Sequence, residues 1–249
     1  MRGLSLLRED CSYIALMLVG SRQRGHHPCC SVVHTETVED YLKAIFELVT
    51  RSGGATTSTL AERLGVAAPT VSAMLKRLAS DDLVSRQGAH RVALTEHGTL
   101  HALAVVRRHR LIEEFLVKAL DVPWEDVHAE AEVLEHAVSD RLLERIDAFL
   151  GHPTHDPHGD PIPSSDGAHV ERWTTPLSHA ALGETFRVER VRDRDREALR
   201  YLGELGVRPG VVLDVVEQAP FGGPLWVKIG GRRHAMGPEL TDIVFGMPA

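Results

Sequence analysis

Beyond residue 30 the chain contains no cysteine, because all three (Cys11, Cys29 and Cys30) lie near the start of its 249 residues. That excludes a disulfide framework and a thiolate zinc site in the body of the protein, and it fits a reducing cytosol, the expected compartment. No run approaches the roughly 20 apolar residues of a membrane helix. The stretch Tyr13 to Gly20 is far too short, so no membrane partner is expected. The N-terminus is not that of a signal peptide, since Arg8, Glu9 and Asp10 interrupt it and no small-residue cleavage site follows. An excess of positive charge is also missing. The formal net charge is −7, so a nucleic-acid-binding surface has to be local. There is no His-Glu-x-x-His word, no nucleophile elbow and no Gly-rich phosphate loop, which argues against an enzyme.

The composition that remains, 43% hydrophobic, is enough for more than one compact unit. Charge is distributed unevenly along it. Between Ala68 and Arg91, Lys76, Arg77, Arg86 and Arg91 face only Asp81 and Asp82, whereas His128 to Ala148 is rich in Asp and Glu. Residues 1–34 carry no legible fold and are expected to be a disordered extension or the product of an upstream start, although His26, His27, Cys29 and Cys30 could trap a metal.

From Thr35 onward the pattern is regular. Val38, Tyr41, Leu42, Ile45, Phe46 and Leu48 recur at helical spacing, and Ser52-Gly53-Gly54 makes a turn. Thr37-x-x-Asp40 resembles a capping box at the start of that helix, a structural use of the acid. A short helix, Thr59 to Leu64, is followed by the turn Gly65-Val66-Ala67 and by a helix opened by Pro69, with Val71, Met74, Leu75 and Leu78 on its apolar side. Two short β runs, Leu83–Arg86 and Arg91–Thr95, then flank a wing. This order is a winged helix-turn-helix. Pro69, Thr70, Ser72, Lys76 and Arg77 on the third helix, with Arg86 and Arg91 of the wing, are the candidate contacts to double-stranded DNA.

A long helix from Glu96 to Leu120 carries His109 and Glu113 four residues apart. A second helix carries His128, Glu132, Glu135 and His136. Residues three, four and seven apart share a helix face, so each stretch aims imidazole and carboxylate groups in one direction. Such a pair is often only a surface hydrogen bond; two stretches with a carboxylate cluster suggest a divalent metal site. Ion pairs in a metal-blind regulator and a metalloenzyme using the same ligands are the competing readings. A third amphipathic stretch with Leu142, Leu143, Ile146, Phe149 and Leu150 is expected to pair with a second copy, making a homodimer that reads a palindrome. A Pro-, His- and Gly-rich linker follows from Gly151 to Asp166, and the stretch to His179 is expected to be less structured. Phe186–Val188, Val211–Val216, Leu225–Ile229 and Asp242–Val244 read as strands, with a helix over Glu197–Leu205.

The words Glu39-Asp40-Tyr41-Leu42, Ala61-Glu62-Arg63-Leu64, Pro69-Thr70-Val71-Ser72, Arg108-His109-Arg110-Leu111, Leu134-Glu135-His136 and Gly159-Asp160-Pro161-Ile162-Pro163 resemble the diphtheria toxin repressor family of metal-dependent repressors. The resemblance runs from about Thr35 to the C-terminus. It implies a mainly α protein with a small β part: a DNA-binding winged helix over 35–104, a helical metal-binding and dimerisation domain over 105–168, a linker over 169–181 and an SH3-like barrel of the FeoA type over 182–247. It further implies a primary metal site of Asp40, Glu132, Glu135 and His136, and an ancillary site of His109, Glu113 and His128 completed by Asp193 or Asp195. Iron-responsive members carry Met and Cys where this chain has Asp40 and Glu132, so the resemblance implies Mn²⁺, with Fe²⁺ as the alternative. Two-domain manganese regulators carry a further carboxylate where this chain has Lys43, so separate primary and ancillary sites are expected. The implied output is repression of metal-uptake genes by a metal-activated homodimer on a palindromic operator.

Overall fold

The computed structural model describes residues 34–88, 90–168 and 174–249; the expectations for residues 1–33 lie outside the described residues. The chain divides into two compact units, one ending at Ala102 and the other spanning Leu103–Ala249.

The first unit is built from α1 (Glu36–Ser52), β1 (Ala55–Thr56), α2 (Thr57–Leu64), α3 (Ala68–Ser80), β2 (Val84–Gln87), β3 (Arg91–Leu94) and the first turns of α4 (Glu96–Leu120). The apolar period of α1 places Val38, Leu42 and Ile45 in a core shared with Leu60, Val71, Leu78 and Leu83. Thr35, not Thr37, is the N-cap of α1 and makes no side-chain capping bond, so the Thr37–Asp40 capping box does not form and Asp40 sits within the helix. A capping box does open α2, where the Thr56 side chain accepts from the Thr59 amide and the Thr59 hydroxyl from the Thr56 amide. β3 lies between β1 and β2 in an antiparallel sheet whose outer hairpin is the wing.

The second unit begins with the remainder of α4, followed by α5 (Val127–Leu134) and α6 (Asp140–Phe149). Arg107 and Arg108 of α4 bind Asp147 and Asp140 of α6 at 2.8 and 3.4 Å. Phe149 of α6 is 69% exposed and Leu142 is 48% exposed, which leaves an apolar stripe on its outer face.

The C-terminal part is a six-stranded antiparallel sheet formed by β4 (Thr175–Pro176), β5 (Thr185–Val191), β6 (Val212–Gln218), β7 (Leu225–Ile229), β8 (Arg232–Met236) and β9 (Val244–Pro248), in the order β4-β9-β5-β6-β7-β8. Helix α7 (Arg196–Leu205) follows β5, and α8 (Pro238–Thr241) precedes β9. Period-2 alternation turns Phe186, Val188, Leu213, Val215, Leu225 and Val227 into one core with Leu199 and Leu202 of α7.

Three differences from the sequence reading stand out. β8 was not foreseen, because Arg232-Arg233-His234 is a polar edge with both arginines exposed. The last strand starts at Val244, the final residue of the expected Asp242–Val244 run, and residues 242–243 follow the short helix α8 instead. Part of the stretch expected as linker belongs to the sheet, since Thr175–Pro176 pairs with β9 and Leu177, in a 3-10 turn, is fully buried.

Trp124, from the α4–α5 connection, also lies in this core, 2% exposed among the strands and α7. Its ring stacks on His158 at 5.4 Å and carries the Arg208 guanidinium 4.4 Å from its centroid. The helical part and the β part of this unit are therefore packed through a shared apolar anchor.

Candidate metal centre and nucleic-acid interface

Helix α4 aims His109 and Glu113 along one buried face, as the four-residue spacing requires. His128 reaches the same place from the first turn of α5. Glu113 Oε1, His109 Nε2 and His128 Nδ1 form a triangle with edges of 2.9, 3.0 and 3.1 Å. Asp193, just beyond β5, places Oδ2 3.4 Å from the same His128 nitrogen. Asp195 is elsewhere: its carboxylate caps α7, accepting from the Glu197 and Ala198 amides at 2.9 and 3.0 Å. Of the two candidates from the C-terminal part, the structure brings Asp193 to the cluster.

Glu135 is fully buried at the end of α5 and faces two imidazoles. Its Oε2 is 2.5 Å from His109 Nδ1, and its Oε1 is 3.5 Å from His136 Nε2. Glu132, half-buried, approaches His128 Nε2 at 3.4 Å. One carboxylate thus touches a residue of each expected ligand set. Asp40, the remaining member of the primary set, is half-buried on α1 in the first unit.

Sequence reasoning missed a second layer behind Glu113. Asp156, His158 and Asp160, from the segment taken as a linker, are all buried. Gly159 permits this: at φ +88° it lies so close to β5 that a Cβ there would stand 2.0 Å from the Glu189 carbonyl oxygen. Asp156 Oδ1 accepts from the His158 and Asp160 amides at 2.8 and 2.9 Å, closing the turn. His158 Nε2 donates to the Trp124 carbonyl at 2.8 Å, which turns Nδ1 toward Glu113 Oε2 at 3.9 Å. Arg110 and Arg190 pair with Asp160, so this acidic layer is charge-balanced. The alternation Asp156-x-His158-x-Asp160 around a glycine was the available signal.

Burial penalises the Glu113 carboxylate, but the charge of His109, hydrogen bonds from His109 and His128 and the nearby His158 ring outweigh it and hold its pKa well below the usual range. Burial would lower the pKa of His158; the nearby Glu113 carboxylate, together with the charges of Asp156 and Asp193, instead raises it to about 9. Burial, with the charge of Glu113, raises Asp156 to about 7.

This donor set fits a divalent ion. Three atoms with mutual distances near 3 Å match the face of a coordination polyhedron, whose edges are about 2.9 Å for an octahedron and about 3.3 Å for a tetrahedron when ligand distances are about 2.0–2.1 Å. Glu113 Oε2 and His158 Nδ1 are buried with no hydrogen-bond partner among the described residues, which leaves donor atoms available to an ion.

In the first unit, Pro69, Thr70, Ser72, Lys76 and Arg77 of α3 are exposed, as are Arg86 and Arg91 of the wing. Ser72, Lys76, Arg86, His90 and Arg91 line a cleft between α3 and the wing, with Thr56–Ser58 at its edge. Lys76 and Arg86 have no ion-pair partner among the described residues. Arg77 stands 3.9 Å from Asp81, and Arg91 donates to the Gly53 carbonyl at 3.4 Å while packing on Gly54.

Three family descriptions match consecutive parts of the chain. Residues 34–91 match the N-terminal DNA-binding domain of iron-dependent repressors, residues 95–164 their metal-binding and dimerisation domain, and residues 175–247 the FeoA domain. The iron-dependent repressor IdeR of Mycobacterium tuberculosis is 34% identical over 222 residues, covering 84% of this chain and 96% of its own. The diphtheria toxin repressor of Corynebacterium efficiens is 31% identical over 193 residues, covering 74% and 84%. A manganese-dependent transcriptional repressor in complex with manganese superimposes with a TM-score of 0.77 at 42% identity, covering 85% of this chain and all of that one.

Proposed function

Since the chain belongs to the diphtheria toxin repressor family of metal-dependent transcriptional repressors, we propose that it is a manganese-responsive repressor that binds a palindromic operator as a homodimer. The observation that carries the metal-sensing part is the convergence of His109, Glu113, His128 and Asp193, with Glu135 linking His109 to His136.

Two sites are assigned. Asp40, Glu132, Glu135 and His136 would hold the primary ion, and His109, Glu113, His128 and Asp193 the ancillary one. A bound divalent ion supplies the positive charge that lets these carboxylates gather. Asp40 belongs to the first helix of the DNA-binding domain and the other primary residues to the helical domain, so a complete ligand set fixes one domain to the other. The arrangement with all ligands engaged is the one in which two recognition helices of a dimer fit successive major grooves, and metal shifts the population toward it. The exposed apolar stripe of α6, with Leu142 and Phe149, supports pairing with a second copy.

The primary set is three carboxylates and one imidazole with no sulfur. Hard oxygen donors suit Mn²⁺, whereas thiolate and thioether favour softer or later metals. Zn²⁺ still follows the Irving–Williams order in raw affinity, so selectivity lies in activation: Mn²⁺ accepts six or more ligands, while a four-coordinate Zn²⁺ can be completed by Glu132, Glu135, His136 and a water without Asp40 of the first helix. Curated relatives named for iron support Fe²⁺ as a second reading, but the residue pair Asp40 and Glu132 favours manganese.

Glu135→Ala tests this. It is expected to remain a folded dimer and to lose metal-dependent operator binding in a gel-shift or anisotropy titration at physiological salt. Full operator affinity in that variant contradicts the proposal.

A further inference from the structure

The loop behind the metal centre, residues 154–163, is closed on itself. The Ile162 amide donates to the Thr154 carbonyl at 2.8 Å and the Asp156 amide to the Asp160 carbonyl at 3.0 Å. Different elements hold its two sides. Toward α4, Arg107 donates to the Pro163 carbonyl at 2.6 Å and Arg110 to the Pro161 carbonyl. Toward β5, the Val191 amide donates to the His158 carbonyl at 2.9 Å, Gly159 lies against the Glu189 carbonyl, and Asp160 pairs with Arg190. Consecutive loop residues thus grip consecutive residues at the end of β5.

Asp160 joins the two sides. Its carboxylate, itself buried, meets the Arg190 guanidinium and, at 3.8 Å, that of Arg110, and both arginines are buried as well. An arginine does not shed its proton on burial, so each of these cations needs a fixed anion. Separating β5 from α4 would leave one buried guanidinium without this carboxylate. The two arginines are neighbours of metal ligands along the chain: Arg110 follows His109 and precedes Glu113 by three residues, and Arg190 precedes Asp193 by three. A coordinating atom has to lie within about 0.2 Å of its proper distance, so the path of the chain leaving β5 decides whether Asp193 reaches the ion. Among the described residues Asp160 is in none of the groups whose ligand atoms converge.

We propose that Asp160 is a positioning residue of the ancillary site: by holding Arg110 and Arg190 together, it delivers Asp193 from the β part to the ion bound by His109, Glu113 and His128. This rests on the ancillary assignment of those four ligands. Its consequence is that the β part sets metal affinity through the placement of one carboxylate, in addition to stabilising the fold.

The experiment is a double-mutant cycle on the full chain, in an Asp40→Ala/His136→Ala background so that calorimetric Mn²⁺ titration reads the ancillary ion. Asp193→Ala and the nearly isosteric Asp160→Asn are each expected to weaken that ion at least tenfold. In Asp160→Asn/Asp193→Ala the affinity should stay within about twofold of Asp193→Ala alone, because Asp160 acts through Asp193. A loss of general stability would instead multiply the two effects. Arg190→Gln, which leaves Asp160 paired with Arg110, should reproduce the Asp160→Asn loss while the metal-free protein still unfolds cooperatively. Unchanged affinity in Asp193→Ala overturns the ancillary assignment and the positioning role with it. A tenfold loss in Asp193→Ala with unchanged affinity in Asp160→Asn or Arg190→Gln, or multiplicative losses in the double variant, overturns the positioning role alone.

Discussion

Trp124→Ala is the perturbation that most sharply tests how the β part is tied to the helical metal-binding part. The indole is 2% exposed and packs among the barrel strands and α7, yet it comes from the α4–α5 connection. Truncating a buried Trp removes its transfer energy and leaves a cavity, a cost of about 3–5 kcal/mol. Arg208, 4.4 Å above the ring, adds a cation–π attraction of about 1 kcal/mol that disappears with it. Gly203 limits collapse into the space, because the backbone already approaches the indole so closely that a Cβ there would lie 3.0 Å from Nε1. For a unit of this size, about 3–5 kcal/mol corresponds to a drop of roughly 6–20 °C in unfolding temperature. Differential scanning calorimetry of the metal-free protein measures it. Trp124→Phe should cost much less, because the indole N–H has no hydrogen-bond partner among the described residues and only the smaller ring volume is lost. A shift below about 1 kcal/mol for Trp124→Ala refutes the claim that this residue anchors the two parts.

Asp193→Ala should weaken ancillary metal binding by at least tenfold while changing apo stability little, whereas Asp195→Ala should cost about 1 kcal/mol as a lost helix cap and leave metal affinity unchanged; calorimetric metal titration and urea melts of both variants separate the roles. Lys76→Ala and Arg86→Ala should each weaken operator binding for all sequences alike and lower the slope of log affinity against log salt by about one; anisotropy at several salt concentrations reads it, and an unchanged slope removes these residues from the phosphate-contacting set.

The helical architecture was legible because apolar residues repeat with period 3.6 in α1, α3 and α6. The His109–Glu113 pair was legible for the same reason, since a helix converts a spacing of four into a shared face. The choice between Asp193 and Asp195 was not legible: two carboxylates two residues apart differ only in which way the chain leaves β5, which aims Asp193 at His128 and Asp195 at the first turn of α7. The Asp156–His158–Asp160 layer was read as linker because it has no periodicity and sits among Pro and Gly. Its burial comes from the close approach at Gly159, a contact with residues thirty positions away. β8 was hidden by its polar side chains, although Gly230-Gly231 before it is a two-residue hairpin turn that could have announced it. The alternative structural reading of Asp40, a capping box from Thr37, does not form because the helix begins two residues earlier, with Thr35 as its N-cap.

The central claim is that manganese, through carboxylate ligands, controls operator binding. Its most direct test is an anaerobic titration of operator binding with Mn²⁺, Fe²⁺ and Zn²⁺ over a range of free metal concentrations, with a chelator control. Mn²⁺ is expected to drive the strongest binding, Fe²⁺ to be a weaker activator, and chelator to abolish binding. In Asp40→Met/Glu132→Cys the response should shift toward Fe²⁺. Stronger activation of the unmodified protein by Fe²⁺ than by Mn²⁺ would replace manganese with iron, and operator binding indifferent to chelator would contradict metal control altogether.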